Sequence, residues 1–144
     1  MLIHELTTSE TRIAEAPFEK IINDLNKEIV QKISADATVR LSLMDDSVAR
    51  EIFKPHIPQA SNLFIDYIFK FKEESKRARI GYASYSMGFP IYMKSSISFN
   101  WKDSNSITDV VSINNQQELN EYIIAMFNCD YMKKLFILTK KQDL

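Results

Sequence analysis

Apolar positions recur along the chain at two periods, and the switch between them divides it into predicted helices and strands. Phe18, Ile21, Ile22, Leu25, Ile29 and Ile33 follow one another at spacings of three and four, while Glu19, Lys20, Asn23, Asp24, Lys27 and Glu28 cover the other side. That pattern is an amphipathic helix, opened by Pro17 and ended by Ser34 to Asp36. From Thr38 the period falls to two. Val39, Leu41 and Leu43 alternate with Thr38, Arg40 and Ser42, as in a strand with one buried face. Asp45, Asp46 and Ser47 offer an N-cap to a short helical turn burying Val48, Ile52 and Phe53, which Pro55-His56-Ile57-Pro58 breaks. The spacing of Leu63, Phe64, Tyr67, Ile68 and Phe71 then predicts a second long helix over 58–71, with Ile65 and Phe69 widening its apolar surface beyond one stripe.

After Ala78 the chain is rich in aromatic and hydroxyl side chains. Residues 80–87 and 91–101 read as a β-hairpin around the turn Met87-Gly88-Phe89-Pro90. Its second strand places Ile91, Met93, Ser95, Ile97, Phe99 and Trp101 on one face and Tyr92, Lys94, Ser96, Ser98 and Asn100 on the other. Residues 102–105 form a turn and 107–113 a third strand. Asn114 with Gln117 resembles a capping pair, opening a helix that aligns Leu119, Tyr122, Ile123, Met126 and Phe127. Residues 134–139 read as a last strand, and residues 1–15 as an arm or edge strand. Strands arriving consecutively favour an α+β fold: a mainly antiparallel sheet, with a three-strand meander plus flanking strands, packed by three to four helices. The 144 residues make a single domain.

Composition narrows the chemistry. Gly81 and Gly88 are the whole glycine supply, which excludes the glycine-rich dinucleotide fingerprint and the phosphate-binding P-loop. One cysteine, Cys129, excludes an internal disulfide and multi-cysteine metal frameworks, and two histidines leave little for a histidine-based metal site. No apolar run approaches the roughly 18 residues of a membrane span, and the first residues lack a secretory signal pattern. The expectation is a cytoplasmic protein with no membrane partner, no metal and no cofactor. Net charge is −1, but residues 1–69 carry 7 basic against 11 acidic side chains and residues 70–144 carry 11 against 8. Such polarity can orient a partner.

No candidate catalytic set assembles from the sequence, which favours a non-enzyme, with an enzyme whose site is assembled from residues distant in sequence as a third reading. His56 sits on a proline-bounded connector with no nucleophile or carboxylate brought to it by any motif, and His4 lies in the N-terminal segment. Cys129 follows a helix, where the dipole raises a thiol's pKa, so it reads as inert packing. Asp45, Asp46 and Glu51 fit no cation-binding loop, and Glu118 with Glu121 complements a helix N-terminus. Trp101 reads as core.

Two features carry more. One is a tyrosine and serine face on the hairpin: Tyr85 opposite Tyr92, flanked by Lys94, Ser96 and Ser98, or Tyr82, Ser84 and Ser86 if the register moves by one. That composition suits protein recognition, because tyrosine gives contact area at low entropic cost. The other is the run 70–79 at the end of the second helix, where Lys76, Arg77 and Arg79 could hold phosphates while Tyr82, Tyr85 or Tyr92 stacks a base. The first reading is therefore a protein-binding or regulatory module, inhibitor-, immunity- or antitoxin-like, that covers a partner protein. The alternative is a single-stranded nucleic-acid binder. The many-sided apolar surface of the 58–71 helix further predicts a homodimer through that segment.

Overall fold

The computed structural model describes residues 17–99, 101–102 and 109–142; the expectations for residues 1–15 and for most of 102–108 lie outside them. In chain order the elements are α1 (Glu19–Lys32), β1 (Thr38–Leu43), α2 (Asp46–Ile52), β2 (Ser61–Phe71), β3 (Glu74–Ser86), β4 (Gly88–Ser95), β5 (Val111–Ile113), α3 (Gln116–Phe127) and α4 (Asp130–Gln142). The five strands form one antiparallel meander, each hydrogen-bonded to its sequence neighbour. The α+β class with a mainly antiparallel sheet is as the sequence predicts.

Two elements differ from expectation. Residues 61–71 are the strand β2 and not a helix: Leu63, Ile65, Tyr67 and Phe69 are buried on one face, and Asn62, Phe64, Asp66, Ile68 and Lys70 alternate onto the other. With β1 on one side and β3 on the other, β2 is an interior strand. Leu63, Ile65, Tyr67 and Phe69 are covered within the chain, whereas Phe64 and Ile68 on the other face are half-buried; the helix on which the expectation of a dimer through 58–71 rests is absent. Residues 134–139 belong to the helix α4 and not to a strand. Met132 and Thr139 of that helix are buried with Leu135 and Phe136 partly so, and Phe136 meets Tyr67 edge-on with ring centres 5.2 Å apart. The Tyr67 hydroxyl donates to Thr139 Oγ1 at 3.1 Å, and Thr139 donates onward to the Leu135 carbonyl at 2.9 Å. The third strand, predicted over 107–113, is paired at 111–113.

The main core lies between one sheet face and α1, α3 and α4, uniting Phe18, Ile22 and Ile29 with Val39, Leu41, Leu63, Ile65, Tyr67, Ile91, Met93, Leu119, Ile123 and Met126. Each such side chain contributes about 1.5–3 kcal/mol by leaving water. The α3 N-terminus is capped one residue later than expected. Asn115 Oδ1 accepts from the Glu118 N–H at 2.9 Å, and the Glu118 carboxylate accepts from the Asn114 N–H at 2.9 Å.

A β-bulge sets which side chains leave this core. Ile65 pairs with Gly81 but Asp66 pairs with Arg79, so Ile80 is the extra residue. Ile80 turns fully into the core. The alternation reverses across it, so Arg77, Arg79, Tyr82 and Ser84 share the outer face while Gly81, Ala83 and Tyr85 face inward. The close inward approach requires glycine at 81, where a Cβ would stand 2.9 Å from the Lys94 carbonyl oxygen.

Candidate functional site

The sheet face turned away from the main core is covered at one end and open at the other. The β1–α2 connection brings the short helix α2 across the covered end. Met44, Ala49 and Phe53 are buried there against Phe64, Tyr82, Tyr92 and Val110. Polar ties hold this flap. Lys94 Nζ donates to the Ile52 carbonyl at 3.2 Å, the Gln59 N–H donates to Ser84 Oγ at 2.7 Å, and Gln59 Nε2 donates to the Pro90 carbonyl at 2.8 Å. The His56 ring lies 5.3 Å from the Tyr92 ring.

At the open end three strands place charge in one row. Arg40 of β1 and Arg79 of β3 are the cross-strand neighbours of Asp66 on β2. Arg79 grips the carboxylate through two bonds, Nε to Oδ1 at 2.9 Å and Nη2 to Oδ2 at 3.1 Å. The Asp66 side chain is 5% exposed and the Arg79 side chain 28%. Hydrogen bonding to Asp66 holds the guanidinium above its usual pKa, so it stays charged at any working pH. The same guanidinium lies over the Phe64 ring, 3.6 Å from its centre. Neither Arg40 nor Arg77 has a salt-bridge partner among the described residues, and Lys70 reaches Asp36 only at 3.9 Å. Around the half-buried Phe64 and Ile68 there are thus four cations, Arg40, Lys70, Arg77 and Arg79, and two carboxylates, Asp66 and the Asp36 that pairs with Lys70. The surplus is two positive charges, Arg40 and Arg77, in a chain whose net charge is −1.

The structure divides the predicted recognition residues. The hairpin takes the register in which Ser84 faces Tyr92 and Tyr82 faces Lys94. Tyr82 and Tyr92 lie on the outer face, half-buried, with Tyr82 edge-on to Phe64 at 6.0 Å. Lys94 is committed to α2. Ser96 and Ser98 are exposed just past β4, and Ser96 Oγ donates to the Arg79 carbonyl. Tyr85 corrects the first register: it is 1% exposed in the main core, edge-on to Phe18 at 5.7 Å. The face is therefore not an open tyrosine and serine surface, since Ser84 is buried too.

The predicted nucleic-acid set is split as well. Residues 70–79 span the β2–β3 hairpin and not a helix end. Lys76 lies opposite Phe69, on the other side of β3 from Arg77, and pairs with Glu74 at 2.9 Å. Arg79 is held by Asp66. Of the aromatic rings offered for stacking, Tyr85 is buried and Tyr92 lies against His56.

The remaining candidates do not assemble a reactive centre among the described residues. Glu118 is held below the usual carboxylate range first by its Lys102 hydrogen bond at 2.7 Å and then by the Asn114 N–H, while Glu121 accepts from Gln117 at 3.2 Å. Glu51 pairs with Lys54 at 3.0 Å, and Asp45 and Asp46 are exposed. Cys129 is half-buried between α3 and α4, and Trp101 packs on Tyr122 with ring centres 5.2 Å apart. His4 lies outside the described residues. These residues contain no group of three or more histidine, cysteine, aspartate or glutamate side chains placed to hold a metal, and no helix long and apolar enough to cross a membrane. The open face sets the guanidinium groups of Arg40, Arg77 and Arg79 around the half-buried Phe64 and Ile68.

Sequence reasoning missed Arg40, Phe64, Asp66 and Ile68 as members of this face. The only signal in the sequence is that Leu63, Ile65, Tyr67, Phe69 and Phe71 also fit a period of two, with Asn62, Asp66 and Lys70 on the other face, but the apolar Phe64 and Ile68 interrupt that alternation. No known protein family, no curated protein and no solved structure matches this chain.

Proposed function

We propose that this chain is a small cytoplasmic protein-binding module of regulatory type, which covers part of a partner protein with the outer face of its sheet. The observation that carries the reading is the open end of that face, where Phe64 and Ile68 lie half-buried beside Arg79, which Asp66 pairs, and beside Arg40 and Arg77, which have no salt-bridge partner among the described residues. Protein recognition surfaces are enriched in arginine and aromatic side chains around a partly apolar centre. Tyr82 extends the same row toward α2. A single-stranded nucleic acid is less well served: Tyr85 is buried, Tyr92 lies against His56, Tyr82 is half-buried edge-on to Phe64, and Lys76 lies on the other side of β3 from Arg77.

The test is affinity capture from a lysate of the native host, read by mass spectrometry with and without nuclease. Wild type is compared with Ile68→Asp and with Tyr82→Ala, each checked for folding by circular dichroism. A protein retained after nuclease and lost with both folded variants supports the reading. Capture unaffected by both variants, or abolished by nuclease, overturns it.

A further inference from the structure

The open face has a sign, and the sign specifies a ligand. Resting on the protein-binding reading above, we infer that the partner presents an acidic segment, in which carboxylates alternate with apolar side chains, and that it docks across β1, β2 and β3 between Arg40 and Arg77.

Three observations converge on this occupant. The first is charge. Arg79 already satisfies Asp66 through both carboxylate oxygens, so Arg40, although its backbone is in register with Asp66, is surplus to that pair. Arg77 stands on β3 opposite Ile68, and no described carboxylate lies within salt-bridge distance of it or of Arg40. The second is arrangement. On the outer face of β2, Phe64 and Ile68 stand on either side of Asp66, with Arg40 on the strand to one side and Arg77 and Arg79 on the strand to the other. A segment lying over β2 would place an apolar side chain on Ile68 and carboxylates toward Arg40 and Arg77 on the flanking strands. Arginine suits this task because its planar donor fork matches a carboxylate in two bonds. The third is preorganisation. The Asp66 salt bridge and the Phe64 ring fix the Arg79 guanidinium, so the floor of the site is ordered before anything binds.

The probes are a fluorescein-labelled 12-residue peptide alternating glutamate and leucine, the same peptide with glutamine for glutamate, and an oligothymidylate of equal length. Each is titrated against the full chain by fluorescence anisotropy. The glutamate peptide is expected to bind at least tenfold more tightly than the glutamine peptide, with affinity falling several-fold between about 50 and 200 mM salt. The double variant Arg40→Gln, Arg77→Gln should lose at least tenfold. Because neither arginine has a salt-bridge partner among the described residues, these changes strand no described carboxylate and should leave the thermal midpoint nearly unmoved. A control, Lys27→Gln with Lys133→Gln, removes two charges from α1 and α4 and should bind as wild type does. Equal binding of the two peptides, or no binding of either, overturns the acidic inference, as does a loss in the control matching that in the double variant. Tighter binding of the oligothymidylate would assign the face to nucleic acid. If the acidic peptide fails while a host protein is still captured through Ile68 and Tyr82, the inference about charge falls and the protein-binding reading stands.

Discussion

The Asn26 side chain acts as a short substitute strand for Val39. Its Oδ1 accepts from the Val39 N–H at 2.6 Å and its Nδ2 donates to the Val39 carbonyl at 3.0 Å. β1 is an edge of the sheet, and an unpaired edge is a template for pairing with another chain. One helix residue thereby satisfies both outward backbone groups of an edge-strand residue and ties α1 to the sheet.

Replacing Asn26 with alanine should leave two half-buried backbone groups to water or to another strand. The expected loss is about 1–3 kcal/mol in a urea melt. The variant should also show concentration-dependent association by light scattering at concentrations where wild type shows less. A variant with unchanged stability would mean that water replaces both bonds without cost.

The β2–β3 hairpin turns at Lys72-Glu73, and both residues have positive φ, 53° and 66°. This is the backbone of a two-residue turn that asparagine and glycine favour, carried here by side chains that disfavour it. Lys72→Asn with Glu73→Gly should therefore stabilise the protein by about 1 kcal/mol. A thermal midpoint that falls would show that contacts of the Lys72 or Glu73 side chain outweigh the backbone preference.

That turn also explains why the sequence misleads over 58–71. Apolar residues stand on both faces of β2, so 63, 64, 67, 68 and 71 satisfy a helical period while 63, 65, 67, 69 and 71 satisfy a strand period. Without glycine or asparagine at 72–73, nothing local arbitrates in favour of the hairpin. In α4 the consecutive Leu135, Phe136, Ile137 and Leu138 erase any period, because Ile137 and Leu138 are exposed while Leu135 and Phe136 pack inward. Elements with one apolar face, α1, β1 and α3, were legible. Arg79 was legible as a cation. Its partner was not, since the meeting with Asp66 depends on hairpin register and on the bulge at Ile80.

Glu118 gives the fold an acid-sensitive contact. Lys102 and the Asn114 N–H favour its ionised form, so its folded pKa lies below its unfolded value. The stabilisation is complete above the ordinary glutamate value of about 4.3 and is lost as pH falls through the folded value. The stability difference between wild type and Glu118→Gln should be largest near neutrality and shrink progressively on acidification below that value. Chemical denaturation at a series of pH values checks this, and a difference independent of pH would remove the charge on Glu118 as its source.

Arg79 and Asp66 should prove unequal when removed singly. Arg79→Met leaves a carboxylate that is 5% exposed without its two donors, at an expected cost of about 3–5 kcal/mol. Asp66→Asn leaves a guanidinium that is 28% exposed and already lies on Phe64, so water and the amide oxygen can replace part of what is lost. Its cost should be nearer about 1–2 kcal/mol. The double variant should be less destabilised than the sum, with a coupling of about 1–3 kcal/mol. Salt should change these values little, because the pair is largely shielded from solvent. A functional consequence follows from register. In Arg79→Met the nearest cross-strand cation to Asp66 is Arg40, and its recruitment to the stranded carboxylate would cancel one of the surplus charges on the open face. Arg79→Met should then weaken binding of the acidic peptide even where folding is intact, and adding Asp66→Asn should restore it. Restoration separates electrostatic competition for Arg40 from a direct contact between Arg79 and the ligand, which the second substitution could not recover.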